Sequence, residues 1–123
     1  MQHTYSFRNI NRLKSKESFQ AVYNQGHSFV DRMSIFYVLT DQDESVRLGL
    51  AVGKKLGCAV VRNHLKRMMR EVFRKHRHEL KEGIRIVWVA RRRLVQAHLP
   101  VFERTFLTLA KKAALLKEAN TND

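Results

Sequence analysis

The sequence predicts an α+β fold: one compact domain, its elements in the order α-β-β-β-α-β-α, with the four strands in a mixed sheet. Three observations carry that expectation. Apolar residues recur every third or fourth position in three stretches, at Phe19, Val22 and Tyr23, within residues 53–77, and at Phe102, Phe106, Leu109, Ala113 and Leu116, which is the period of an amphipathic helix. Between the stretches the pattern shortens to every second residue, or to a dense β-branched run, which marks strands. And 123 residues suffice for a single modest core that buries roughly two thirds of the unfolded surface.

In chain order, residues 1–14 carry Arg8, Arg12 and Lys14 with little apolar periodicity and are expected to form a basic extended arm. Ser15 offers an N-cap, Glu17 sits in the first turn, and Gly26 stops the first helix. A short strand over residues 27–30 comes next. Residues 35–39 then alternate, with Ile35, Tyr37 and Leu39 on one face and Phe36 and Val38 on the other. The acidic run at Asp41, Asp43 and Glu44 reads as a solvated turn, since it lacks the glycine and the distant glutamate of a calcium loop. It leads into Val46, Leu48, Leu50 and Val52, so the two alternating runs are expected to pair as an antiparallel hairpin. Lys81-Glu82-Gly83 reads as the end of the long helix, and residues 84–90 (IRIVWVA) as an interior strand. If that strand runs parallel to the one over 46–52, the long helix is the crossover of a βαβ unit, for which a right-handed connection is the general expectation. Residues 94–99 are expected to form a short turn, and Pro100 opens the last helix. The polar tail at 117–123 is expected to fray.

With 24 Lys and Arg against 11 Asp and Glu, the net charge is +13, which points to a polyanionic partner. Nucleic acid leads and an anionic membrane surface trails. No apolar run approaches the ~20 residues that span a bilayer. The first ten residues, MQHTYSFRNI, lack the apolar segment of a secretion signal. A lone cysteine, Cys58, forms no internal disulfide and fits a reducing compartment. The expectation is a cytoplasmic protein.

The charge concentrates in residues 53–77, where nine Lys or Arg face one acid, Glu71. With Val61 as origin and about 100° per residue, Leu65, Met68 and Val72 fall on one side of the helix. Asn63, Lys66, Arg67, Arg70, Arg74 and Arg77 cluster on the other, and Arg62 lies near the boundary beside Met69 and Phe73. Charges of one sign gain nothing from pairing along the helix, and arginine forks suit phosphate oxygens. Just ahead, Gly53-Lys54-Lys55-Leu56-Gly57 lets backbone approach a ligand closely and adds two cations at the end where the helix dipole favours anions. Arg91, Arg92 and Arg93 form a second basic patch suited to phosphate.

Gly57, Ala59, Val60, Arg62, Asn63, Lys66, Arg67, Arg70, Glu71, Phe73 and Arg74 stand in a spacing that resembles the RNR signature of the bacterial ribonuclease P protein subunit. The resemblance extends from Leu13 and Phe19 to the final helix, with one departure at Cys58, where the family's usual residue is Asn. It implies a fold similar to the ribosomal protein S5 domain 2-like fold, with a left-handed crossover. It also implies the protein cofactor of a ribozyme that removes 5′ leaders from precursor tRNA. Lys54, Lys55, Arg62, Asn63, Lys66, Arg67, Arg70 and Arg74 would then grip the catalytic RNA subunit, and Phe19, Tyr23, Tyr37, Lys66 and Arg70 would line a cleft for leader RNA. Phe19 and Tyr23 also suit an ordinary core role. The resemblance further implies that hydrolysis belongs to the RNA and its bound Mg2+, with no protein partner and no membrane required.

The residues themselves show no active site. Phosphodiester hydrolysis by a protein needs clustered carboxylates for metal ions or a general base beside a nucleophile. His76 and His78 lie two apart on a helix and point apart, and the six histidines together read as surface residues without ligand spacing. A ribosomal or ribosome-associated RNA-binding protein shares every compositional feature, so leader dependence must separate the two. A self-sufficient nuclease is disfavoured by the missing carboxylates.

Overall fold

In the computed structural model residues 12–40 and 45–117 are described. The first eleven residues of the expected arm, the acidic turn at Asp41, Asp43 and Glu44, and the tail beyond Lys117 lie outside them.

Helix α1 (Lys16–Gln25) starts where Ser15 Oγ accepts the N–H of Ser18 at 3.0 Å, which satisfies a first-turn donor that has no partner in the helix. It ends at Gly26, where the chain folds against the second strand. A Cβ there would stand 2.5 Å from the carbonyl oxygen of Val38, so only glycine permits the turn into β1 (His27–Val30). Strand β2 (Ser34–Thr40) pairs antiparallel with β1. Strand β3 (Val46–Ala51) follows, then a turn of 3-10 helix (Lys54–Leu56), helix α2 (Ala59–His76), a second 3-10 turn (Arg77–Glu79), β4 (Ile84–Ala90), a third 3-10 turn (Arg92–Leu94) and α3 (Leu99–Lys112).

Strand order is β1-β2-β4-β3, and this corrects the hairpin expected between 35–39 and 46–52. β4 inserts between them, antiparallel to β2 and parallel to β3. Alternation reveals which side of a strand is apolar but not which strand it joins. The β-branched density of β4 is the mark of its central position: Ile84, Ile86, Val87, Trp88 and Ala90 are all buried.

One sheet face carries the main core. Phe36, Val38, Leu48, Ile86 and Trp88 meet Leu65, Met69, Val72 and Phe73 of α2 and Phe102, Phe106 and Leu109 of α3. Rings of Phe36, Trp88 and Phe106 pack with centroids 5.0 to 5.9 Å apart, two of the three pairs edge to face. The stripe of α2 is therefore wider than expected and rotated. Met69 and Phe73 are sealed, while Val61 and Met68 are half-buried at its margin. The helix lies in the angle between the sheet and α3, so two partners cover it rather than one. It also stops sooner than expected, at His76, with Gly83 (φ 74°) turning the chain into β4 instead.

The core holds one polar thread. Trp88 Nε1 donates to Ser34 Oγ (2.8 Å), Ser34 Oγ meets Thr105 Oγ1 (2.9 Å), and Thr105 donates to Asp31 Oδ2 (2.7 Å). Because Thr105 gives its proton to the carboxylate, the Ser34 hydroxyl must donate to Thr105. Every polar atom of the thread is satisfied, as low-dielectric surroundings require. His76, expected at the surface, is buried against Phe106 and held between Glu79 (2.9 Å) and Glu103 (2.6 Å), which locks the end of α2 onto α3.

Candidate nucleic-acid interface

The other sheet face is covered only in part. The strand registers place Tyr37 and Leu39 of β2, Val87 and Val89 of β4, and Gly49 and Ala51 of β3 on the same side. Helix α1 lies across them, sealing Val22 and Val87 together with Leu13 while leaving Tyr37, Leu39, Val89 and Ala51 half-buried. The two aromatic residues of α1 fare differently. Phe19 lies over Gly49, where a Cβ would come 2.5 Å from its ring, so it fills the space under the helix. Tyr23 is 37% exposed and stands edge-on to Tyr37, centroids 4.9 Å apart. Burial, then the neighbouring Tyr37, raises the Tyr23 pKa above its usual value, so the Tyr23 phenol stays a neutral hydrogen-bonding group. An exposed ring beside a half-exposed ring is what a flat nucleobase can stack on.

Basic side chains reach this face along the β3 edge. Arg12 bridges to Leu48, and the N–H of Leu13 donates to the carbonyl of Leu48 at 3.1 Å. The segment before α1 thus runs beside β3 and brings Arg12 close to Arg70 of α2. The Arg70 pKa is lowered from its usual value, first by burial and then by Arg12 and Arg67. Three guanidinium groups are gathered there against their mutual repulsion. Lys66 is half-buried one helical turn from Arg70, and Asn63 and Arg67 are exposed. Among the described residues no carboxylate lies within ion-pair distance of Lys66, Arg67 or Arg70.

Other members of the expected set have intramolecular work. Arg62 donates through Nε to the carbonyl of Gly57 (3.0 Å), closing the loop ahead of α2. Arg74 forms a two-pronged pair with Glu71, Nη2 lying 2.6 and 2.7 Å from its oxygens. Arg91 donates through Nη1 to the carbonyl of Asp31 at 2.9 Å. Lys54, Lys55, Arg92 and Arg93 are exposed. Cys58 occupies the N-cap of α2 without a side-chain capping bond. Backbone N–H groups of Val61 and Val60 nonetheless pull its thiol pKa below the usual value, an electron-poor spot in keeping with a helix N-terminus. Sequence reasoning placed Arg12 only in an arm. It also missed Arg47 and Arg85, which the β3–β4 register sets side by side on the α1 face, although their alternation with Val46, Leu48, Ile84 and Ile86 carried the signal.

Among the described residues no group of three or more His, Cys, Asp or Glu is placed to hold a metal ion, and no helix is long and apolar enough to cross a membrane.

Comparison with known proteins bears on the family and the fold. The family model described as Ribonuclease P matches residues 7–114. The ribonuclease P protein component of Alkaliphilus oremlandii is 36% identical over 110 residues, spanning 89% of this chain and 96% of its own. That of Bacillus pumilus is 37% identical over 110 residues, spanning 88% and 92%. The solved structure of the Staphylococcus aureus RNase P protein superposes with a TM-score of 0.80 at 30% identity, covering 87% of this chain and 98% of that one. The Thermotoga maritima RNase P protein gives 0.76 at 28% identity, covering 82% and 96%.

Proposed function

This chain belongs to the ribonuclease P protein family, and from that membership we propose that it is the protein partner of a catalytic RNA that removes the 5′ leader of precursor tRNA. The observation that carries the proposal is the adjacency of two unlike surfaces. Lys66, Arg67 and Arg70 form a basic row without acid partners among the described residues, and Arg12 links it to the open sheet face where Tyr23 meets Tyr37.

On this reading the exposed side of α2, with Asn63, Lys66, Arg67 and Arg70, lies along the phosphates of the RNA subunit, and Lys54 and Lys55 add charge at its N-terminal end. Binding relieves the repulsion gathered around Arg70. The leader enters between α1 and the sheet, a base stacks on Tyr23 and Tyr37, and the cations hold the adjoining phosphates. Phe19 holds α1 at the height of the cleft. Neither rings nor phosphate contacts read base identity, so leader sequence matters little. Charge neutralisation for hydrolysis would come from Mg2+ bound by the RNA subunit, while this chain binds and orients.

Reconstitution tests the proposal. The chain mixed with a bacterial ribonuclease P RNA at moderate magnesium is expected to speed 5′ processing of precursor tRNA, and the Arg67→Ala plus Arg70→Ala variant to keep its fold while losing affinity. Its log K against log salt slope is expected to be shallower by about 1.5 to 2 units for two lost phosphate contacts. Unchanged processing with and without the chain, or an unchanged slope, removes α2 from the mechanism.

A further inference from the structure

One end of the sheet gathers a second set of cations. Because β3 and β4 run parallel, both finish there, and β2, antiparallel to β4, begins there, Ser34 standing opposite Ala90. The turn joining β1 to β2 (residues 31–33), the loop after β3 and the run after β4 therefore meet at one rim. Two bonds fasten it: the N–H of Arg91 donates to the carbonyl of Met33 at 3.1 Å, and its guanidinium to the carbonyl of Asp31. Lys112 of α3 adds a third tie, to the carbonyl of Val30 at 2.8 Å.

Arg32, Lys54, Lys55, Arg91, Arg92 and Arg93 are all exposed on this rim. The acid beside them is Asp31, and its carboxylate already accepts from Thr105 and from the N–H of Met33 (3.1 Å). Among the described residues no carboxylate lies within ion-pair distance of Arg32, Arg92 or Arg93. With neighbouring strands about 4.8 Å apart, the backbone from the β1–β2 turn across β4 to β3 spans roughly 15 Å. A row of that length matches several consecutive phosphates.

What the rim lacks selects its partner. Among the described residues the exposed large apolar side chains are Tyr23, Val30 and Val60; Tyr23 belongs to α1 on the open sheet face, which leaves the described part of the rim two valines and no exposed ring. Unpaired bases are bound by stacking on aromatic side chains, whereas helical RNA is recognised through shape, phosphates and ribose hydroxyls. An anionic bilayer would call for Trp, Phe or Leu to insert. We infer that this rim, through Arg32, Arg92 and Arg93, docks the sugar-phosphate backbone of base-paired RNA, apart from the single-stranded segment held at Tyr23 and Tyr37. The inference rests on the RNA-binding reading above and adds a second surface with a different kind of RNA.

The test uses the full chain and three probes: a blunt RNA duplex, an oligouridylate of the same length, and phosphatidylglycerol vesicles. The variant combines Arg32→Gln, Arg92→Gln and Arg93→Gln, exposed positions outside the core, with thermal unfolding confirming the fold. Expected is at least about a tenfold loss of duplex affinity, with a salt slope shallower by about 2 to 3 units for three lost contacts, and oligouridylate affinity within about twofold of the parent. Equal loss on both RNAs, or no loss on the duplex, overturns the inference. So does vesicle binding that falls in the variant while duplex binding holds. A parent chain that binds oligouridylate but no duplex overturns the rim alone, and one that binds neither overturns the RNA reading as well.

Discussion

Against α2 and α3 the sheet presents Phe36, Leu48, Ile86 and Trp88, each 1% exposed or less, while beneath α1 it presents Tyr37, Leu39, Val89 and Ala51, each half-buried. The difference lies in what covers each side. Eighteen residues of α2 and fourteen of α3 lie over the first face, and the ten residues of α1 over the second. At 1.5 Å per residue α1 is about 15 Å long, against about 27 Å for α2 and about 21 Å for α3, so one short helix leaves part of its face uncovered where two longer ones close theirs. Stability is thus concentrated on one side, which leaves the other free to hold a ligand.

That contrast can be broken by mutation. The largest effect is expected on the sealed side: Phe106→Ala removes a ring packed on Phe36, Trp88 and His76 and is expected to cost about 3 to 5 kcal/mol, measured by denaturant unfolding. Next comes Ser34→Ala, which strips the Trp88 indole N–H of its acceptor and breaks the thread to Asp31. A cost of about 1 to 3 kcal/mol is expected, with a change in tryptophan fluorescence, Trp88 being the single tryptophan. On the open side Tyr23→Ala is expected to change stability by less than about 1 kcal/mol yet weaken oligouridylate binding by about 1 to 3 kcal/mol. A loss of stability comparable to Phe106→Ala would mean that the two faces are not different in kind.

Acid sharpens the same comparison with a smaller effect. The Glu103 carboxyl sits below its usual pKa of 4.5, first through the hydrogen bond from His76 and then through Lys75. Burial pushes Asp31 up, but the Thr105 hydroxyl, the N–H groups of Met33 and Arg32, and Lys112 outweigh it and leave the group below its usual 3.8. Both folded values lie under the unfolded ones, so the stabilisation is full above pH 4.5 and is lost as pH falls through the depressed values. The unfolding midpoint is expected to be level above that pH and to drop below it, and Glu103→Gln to make the drop shallower. A midpoint that falls equally in the variant would detach these carboxylates from acid stability.

Much of this was legible because it is written locally. Ser15 and Gly26 bound α1, residues 27–30 and 84–90 are the strands expected, and Pro100 stands at the start of α3. What could not be read depends on partners distant in sequence. Nothing in residues 35–52 announces that β4 will enter between β2 and β3. The tilt of α2 toward Met69 and Phe73 is set by α3, and His76 is drawn inward by Glu103, 27 positions away. The basic row was visible in composition, but its division was not. The fold ties Arg62, Arg74 and Arg91 to their own chain while Arg67, Arg92 and Arg93 face solvent.

The interior position of β4 also governs the order of events at the ribosome. Until residue 90 has emerged, β2 and β3 have no common neighbour, and each offers a bare hydrogen-bonding edge to any other chain. A nascent polypeptide at that stage holds α1, the β1–β2 ribbon, β3 and α2, and the apolar side of α2 has no complete sheet or α3 to bury it until the rest of the chain follows. Delay in synthesis between residues 52 and 90 is therefore the interval in which this small protein is most prone to aggregate.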